Sequence, residues 1–285
     1  MCRLREQLRI TGTCRQTERL RLTGEYRVNA LAALAKCHNL RYLDLSLVGE
    51  SVPFSSLAKA ISSLTKLTTL RLPRTTNITE LQSQTQPQVP TINWPPHLSR
   101  LQVSGHFSST LISSFPWPSS SLTTLTLKNC ADLSVNPTGC LVSSPHLSRC
   151  LTRLTISGSN RNLQPESINA IPAFLPGLTF LRVPGDLVQE SFFGMLGFFS
   201  GLPLALEVLE FGNPHVEASL GFSTETLISA LGAGLANLKA VGFAEAYMTE
   251  QLLLDDEEIE NALCERAKGR HKQGDIDDDE VVYYF

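Results

Sequence analysis

Four residues within one stretch have the types that hold zinc: Cys130, Cys140, His146 and Cys150. Thiolate sulfur and neutral imidazole are preferred zinc ligands, arranged tetrahedrally. Their spacing, C-x9-C-x5-H-x3-C, lacks the close cysteine pair that forms the first half of most such sites. Asp275, Asp277 and Asp279 alternate like the opening of a calcium loop, but Glu280 stands where the sharp turn needs glycine. No metal or other cofactor is therefore expected. Asn77-Ile78-Thr79 is a glycosylation sequon, expected to stay unused because MCRLREQLRI has no apolar signal core. There is no G-x-S-x-G, glycine-rich phosphate loop or H-E-x-x-H, so the sequence predicts a protein that is not an enzyme.

The elements that would position side chains are easier to read. The 285 residues are 42% hydrophobic and 18% charged, enough to bury a sizeable core. Seven cysteines run from Cys2 to Cys264 without the dense, even pattern of a disulfide scaffold. Phe192 to Leu206 is uncharged but broken by three glycines and a proline, too short for a membrane span. A cytoplasmic or nuclear protein in a reducing compartment, without a membrane, is expected.

Charge is unevenly spread. Residues 1–244 carry 20 Lys/Arg and 14 Asp/Glu, a net of +6, whereas residues 245–285 carry 4 and 13, a net of −9; together these give the overall −3. Such asymmetry marks an acidic tail.

One phrase, L-x-x-L-x-L, recurs along the chain: NLRYLDL, KLTTLRL, HLSRLQV, SLTTLTL, LTRLTI, GLTFLRV, LEVLEF and NLKAVGF. Its central residues are Leu43, Leu70, Leu101, Leu125, Leu154, Leu181, Leu209 and Val241, with weaker copies at Leu20 and Leu8. PHLSR occurs twice, at Pro96–Arg100 and Pro145–Arg149. The seven intervals from position 43 to 241 average roughly 28 residues. In an extended segment side chains alternate, so the leucines of each phrase share one face and need neighbouring copies to cover it. Between phrases, Leu57, Ile61 and Leu64, Ile168, Ile171 and Leu175, and Leu227, Leu231 and Leu235 have helical spacing, with Ser223 as an N-cap and Pro165 in a first turn. The proline-rich stretches Gln82–Pro96 and Phe115–Ser121 are read as loops.

On these repeats the chain resembles a leucine-rich-repeat protein over residues ~17–245, and the uneven 24–32-residue spacing resembles that of fungal F-box and leucine-rich-repeat proteins. The resemblance implies an α/β fold: a horseshoe solenoid with a parallel concave sheet and irregular helices and loops on the convex side. In that family an F-box docks a Skp1-type adaptor, and the repeats select the ubiquitylation substrate. Here too little sequence precedes Leu20 for an F-box, so a Skp1-type partner is expected only if an F-box lies outside this chain. Leu163-Gln164-Pro165-Glu166 faintly resembles the start of one but falls where a repeat helix belongs. The expected domains are a solenoid over 1–247, a capping helix over 248–271 with Thr249, Leu252, Ile259 and Leu263, and a disordered acidic tail over 272–285.

The expected activity is protein binding on the concave face, as a substrate-recognition scaffold in an SCF-type ubiquitin ligase. The alternative is a freestanding regulator of another enzyme. Outward positions beside each central leucine give the candidate partner-binding residues Arg21, Tyr42, Asp44, Arg71, Arg100, Gln102, Lys128, Arg153, Phe180, Arg182 and Glu210, with Arg19, Thr126 and Thr155 beside them. Seven of these fourteen are basic and two acidic, which favours an acidic protein partner, one that the acidic tail could compete with by folding back. Nucleic acid is not expected, since the strands offer few aromatics for stacking.

Overall fold

A computed structural model describes residues 16–24, 29–48, 52–74, 76–77, 93–105, 115, 117–118, 122–196, 204–247, 257–265 and 282–284. Every repeat phrase within the described residues forms a strand, the weaker copy at Leu8 lying outside them: β1 (Arg19–Gly24), β2 (Tyr42–Val48), β4 (Thr69–Arg71), β6 (Arg100–Gly105), β7 (Thr124–Cys130), β8 (Arg153–Ser157), β9 (Phe180–Pro184), β10 (Val208–Gly212) and β11 (Ala240–Phe243). They line up in chain order as one parallel sheet, joined beyond β11 by β12 (Val282–Tyr284), so ten strands are hydrogen-bonded side by side. Two further short strands, β3 (Val52–Pro53) and β5 (Thr76–Asn77), pair separately.

Register follows the repeat. Leu20, Leu43, Leu70, Leu101, Leu125, Leu154, Leu181, Leu209 and Val241 are successive partners across the sheet. From Leu43 onward each is 0 or 1% exposed. Burying one such leucine contributes about 1.5–3 kcal/mol, and no single strand could achieve that alone. The architecture is a leucine-rich-repeat solenoid.

The returns cover the other side of this ladder. Helices α1 (Asn29–Leu34), α2 (Phe54–Ser62), α3 (Val135–Val142), α4 (Pro145–Cys150), α5 (Pro165–Phe174), α6 (Glu190–Met195) and α7 (Thr224–Gly232) pack onto a single hydrophobic core. Leu57, Ile61, Leu64, Ile168, Ile171, Leu175, Leu227, Leu231 and Leu235 are all buried, as their spacing predicts. Helix α7 opens on Ser223, whose hydroxyl accepts the Thr226 N–H at 3.2 Å. Helix α5 has Pro165 in its first turn, and Ser167 Oγ accepts the Gln164 N–H at 3.3 Å. The LQPE segment is therefore a repeat helix. Between the strands of the described middle repeats, Phe115 and Trp117 meet edge to face, Trp94 meets Phe115 at a tilt, and the three rings lie against the core.

At the C-terminal end a helix, α8, spans residues 257–265, with Ile259 and Leu263 buried. Thr249 and Leu252 lie outside the described residues, as does Asp275–Glu280. Strand β12 takes part of the 272–285 segment into the sheet, where the sequence suggests disorder: β11 leaves an open edge of unpaired backbone groups, and a β-rich VVYYF can satisfy them. Cys37 is disulfide-bonded, whereas Cys130, Cys140, Cys150 and Cys264 are free; the bond departs from the expectation of a wholly reduced set. Among the described residues no helix is long and apolar enough to cross a membrane.

Candidate functional site

Two rows of side chains flank the buried ladder on the concave face. The first runs Arg19, Tyr42, Thr69, Arg100, Thr124, Arg153, Phe180, Val208 and Ala240 across neighbouring strands. The second runs Arg21, Asp44, Arg71, Gln102, Thr126, Thr155, Arg182, Glu210 and Gly242. Thus the candidate residues other than Lys128 fall in two adjacent lines; Lys128 is exposed further along β7, opposite Ser157.

Asp44 does not behave as the sequence predicts. It stands in the outward row yet is only 1% exposed, because its neighbours close over it. Arg21 Nε donates to Asp44 Oδ2 at 2.9 Å, Tyr42 Oη donates to the same oxygen at 3.2 Å, and Arg71 Nη1 lies 3.4 Å away. The other oxygen, Oδ1, accepts the Ser46 N–H at 3.0 Å and its hydroxyl at 2.6 Å. Asp44 is therefore not a surface for a partner to touch; it is the group that orients Arg21 and Arg71. Burial pushes its carboxyl up, but the Ser46 hydrogen bonds and the two guanidinia outweigh this and hold it below the usual carboxylate value. The Tyr42 hydroxyl and Asp44 in turn raise the Arg21 guanidinium above its ordinary value.

Around this cluster the concave face is hollowed into an open depression of about 560 Å³. Arg19, Arg41, Arg71 and Arg100 line it, with Gln102, the hydroxyls of Thr68, Thr69, Thr124 and Thr126, and one carboxylate, Glu18. The guanidinia of Arg19 and Arg71, reaching from the strands on either side, lie 5.2 and 5.7 Å from the centre of the Tyr42 ring. Towards the other end Arg153 sits 3.9 Å above Phe180, and Arg182 pairs with Glu210 at 3.3 Å. Both aromatic rings of the two rows thus carry neighbouring guanidinia.

The zinc-type residues go elsewhere. Cys130 is fully buried, its thiol donates to the Val103 carbonyl at 3.7 Å, and burial pushes it up to about 12. Cys140 and His146 are exposed on α3 and α4, Cys150 is half-buried, and among the described residues no three such groups converge.

Two structural devices escape a reading based on hydrophobic spacing. A hydroxyl at the entrance of each central strand donates to the carbonyl of the preceding repeat: Thr68 to Arg41, Ser99 to Thr68, Thr123 to Ser99, Thr152 to Thr123 and Thr179 to Thr152, at 3.0–3.3 Å. The signal was the Ser or Thr that follows the first leucine in five successive phrases. Asn160, fully buried, accepts the Cys130 N–H at 2.8 Å and donates to the Ser157 and Gly158 carbonyls, both at 3.2 Å. Nearby, Gly158 at φ +75° leaves room for Asn129, whose Oδ1 a Cβ there would strike. These bonds hold the strand exits rigid, so the rows that precede them are fixed in spacing.

No protein-family model matches the chain. It is 35% identical over 104 residues to the F-box protein YDR306C of Saccharomyces cerevisiae, a stretch that covers 36% of this chain and 20% of that relative. The chain therefore spans about a fifth of the relative's length. Among solved structures, the TLR13–ssRNA13 complex aligns over 72% of this chain and 29% of its own, at 18% identity and a TM-score of 0.41. The strand ladder gives the chain a leucine-rich-repeat fold, and over a third of its length it is similar to an F-box protein.

Proposed function

We propose that this chain is a non-enzymatic protein-binding scaffold whose concave face selects a substrate for an SCF-type ubiquitin ligase. The observation that carries the reading is the pre-set arginine cluster around Asp44. Guanidinia held in place by a buried carboxylate lose little freedom on binding, and arginine and aromatic side chains dominate binding energy at protein interfaces. The predominance of Arg over acidic side chains in the depression favours an acidic partner. The ligase context is supported by the 35% identity to an F-box protein. A Skp1-type adaptor would then contact an F-box, while the repeats hold the substrate in the cytoplasm or nucleus.

The test is affinity purification of the protein tagged at its native locus, at two salt concentrations, with bound proteins identified. A Skp1-type adaptor and a cullin are expected at both, with the acidic substrate lost at high salt. A salt-sensitive partner recovered without adaptor or cullin at either concentration would overturn the ligase reading in favour of a freestanding regulator.

A further inference from the structure

We infer that the concave face takes an extended segment of the bound protein, with acidic side chains at one end and a large apolar side chain about five residues away. The inference rests on the concave face being a protein-binding surface and states the chemistry of what it binds. Three observations lead there.

The first is charge left unanswered at one end. Arg19 and Arg100 line the depression, are exposed, and have no ion-pair partner among the described residues. Arg71 is engaged by Asp44, and Glu18, the one carboxylate of the depression, lies 4.0 Å from Arg41. Guanidinia without a counter-charge in a hollow of the surface favour carboxylates brought by a ligand.

The second is that the other end answers its own charge. Arg182 pairs with Glu210 at 3.3 Å, Lys239 pairs with Glu207 at 3.5 Å, and Arg153 lies over the Phe180 ring. A carboxylate arriving there would have to break a pair already made. What this end offers is apolar: Phe180 and Val208 are half-buried neighbours in the first row. On β11 the two rows continue only as Ala240 and Gly242, so no long side chain of that strand rises beside Val208. Phe180 and Val208 form a shallow seat for one apolar side chain, the kind of contact found at the centre of protein interfaces.

The third is the floor between the two ends. Strands β7 and β8 contribute the short Thr124, Thr126 and Thr155 to the rows, and Arg153 is drawn onto Phe180. A backbone can cross this low ground with hydroxyls in reach of its N–H and C=O groups. From Arg100 on β6 there are three strand spacings to Phe180 on β9 and four to Val208 on β10. At ~4.8 Å each these are about 14 and 19 Å, which an extended segment covers in about four to six residues. Val282–Tyr284 is not the apolar end, because its backbone pairs with β11 as the tenth strand of the sheet.

The experiment is fluorescence anisotropy on the purified full chain with labelled synthetic peptides. Each carries three glutamates and one leucine, separated by four Gly/Ser residues or by one, in both orders; a further pair has serine in place of leucine. In one of the two orders, the four-residue spacer should bind about tenfold more tightly than the one-residue spacer or the serine peptide, because only it places the leucine on its seat. Salt should weaken all of them while that ratio persists, since the apolar contact is not screened. Arg100→Gln should weaken every peptide and keep the ratio; Val208→Thr should remove most of the ratio and leave the serine peptide unchanged. Circular dichroism verifies that the variants are folded, and the spacer series on the wild-type chain decides the matter without them. Equal affinity whatever the spacer, a ratio untouched by Val208→Thr, or tighter binding of a six-nucleotide uridine RNA than of any peptide would each overturn the inference. If no peptide binds, the inference falls as well. The scaffold reading then stands if affinity purification recovers a salt-labile partner that the Arg100→Gln chain loses, and falls with it if that substitution changes nothing.

Discussion

The two ends of the concave face use the same residue types to different ends. Near β2, one carboxylate, Asp44, is 1% exposed and bridges two arginines from strands on either side. Near β10, Glu210 keeps 16% of its side-chain surface and meets Arg182 at 3.3 Å. Around Asp44 the neighbours are arginine, tyrosine and serine; beside Glu210 the rows hold Val208, Ala240 and Gly242. A carboxylate that accepts five hydrogen bonds acts as a scaffold for the cations above it, and its loss should be structural. A more open pair next to an apolar strip is a modest surface interaction. Position in the repeat is the same; the neighbours on adjacent strands decide what the acid does.

The sharpest way to break the comparison is Asp44→Asn. It removes the charge that two guanidinia share and leaves one hydrogen-bond acceptor where there were two. Removing one partner of a buried ion pair costs about 3–5 kcal/mol, but Arg21 and Arg71 are themselves 49% and 39% exposed, so solvent rescues part of the loss. An expected cost of about 2 kcal/mol in urea unfolding follows. The same variant has a pH signature. The folded Asp44 carboxyl titrates below its unfolded value, so its contribution is complete above about pH 4 and disappears as pH falls through the folded value. The gap between wild type and Asp44→Asn should therefore close on acidification below about pH 4, because a protonated Asp44 loses the same charge. A gap that stays constant to pH 2 would show that the carboxylate charge is not what holds the cluster.

How much of this the sequence reveals depends on whether the cause is local or arises between strands. The leucine spacing foretells the ladder, the helices and their buried faces, because period and burial are properties of single segments. The outward rows are legible for the same reason. Burial of Asp44 is not, since alternation says that it points outward, and two of the side chains that close over it, Arg21 and Arg71, come from 23 and 27 residues away. The Asn160 bond to Cys130 spans 30 residues and is hidden likewise. Pairing of β12 with β11 depends on an open edge that no local pattern announces.

At the other end, Glu210→Gln should cost about 1 kcal/mol or less. Its partner Arg182 is 41% exposed, and glutamine keeps the acceptor oxygen and nearly the same shape. Raising salt should shrink that small difference, while the Asp44→Asn cost changes less, because buried charge is screened less. Equal salt sensitivity of the two variants would remove the distinction between scaffold and surface pair.

Arg153→Ala gives the finest test. The guanidinium lies 3.9 Å over the Phe180 ring on the adjacent strand, and Arg153 itself is exposed. An exposed cation–π contact of this kind contributes about 0.5–1 kcal/mol. Arg153→Lys keeps the charge but replaces a flat plate with a compact ammonium, so part of the stacking should be lost with the charge unchanged. The expected order of stability is Arg, then Lys, then Ala, within about 1 kcal/mol overall, read from urea midpoints at constant slope. If Lys equals Arg, charge near the ring suffices; if Lys equals Ala, planar contact carries the effect, and the C-terminal half of the face is held by stacking where the N-terminal half is held by a buried carboxylate.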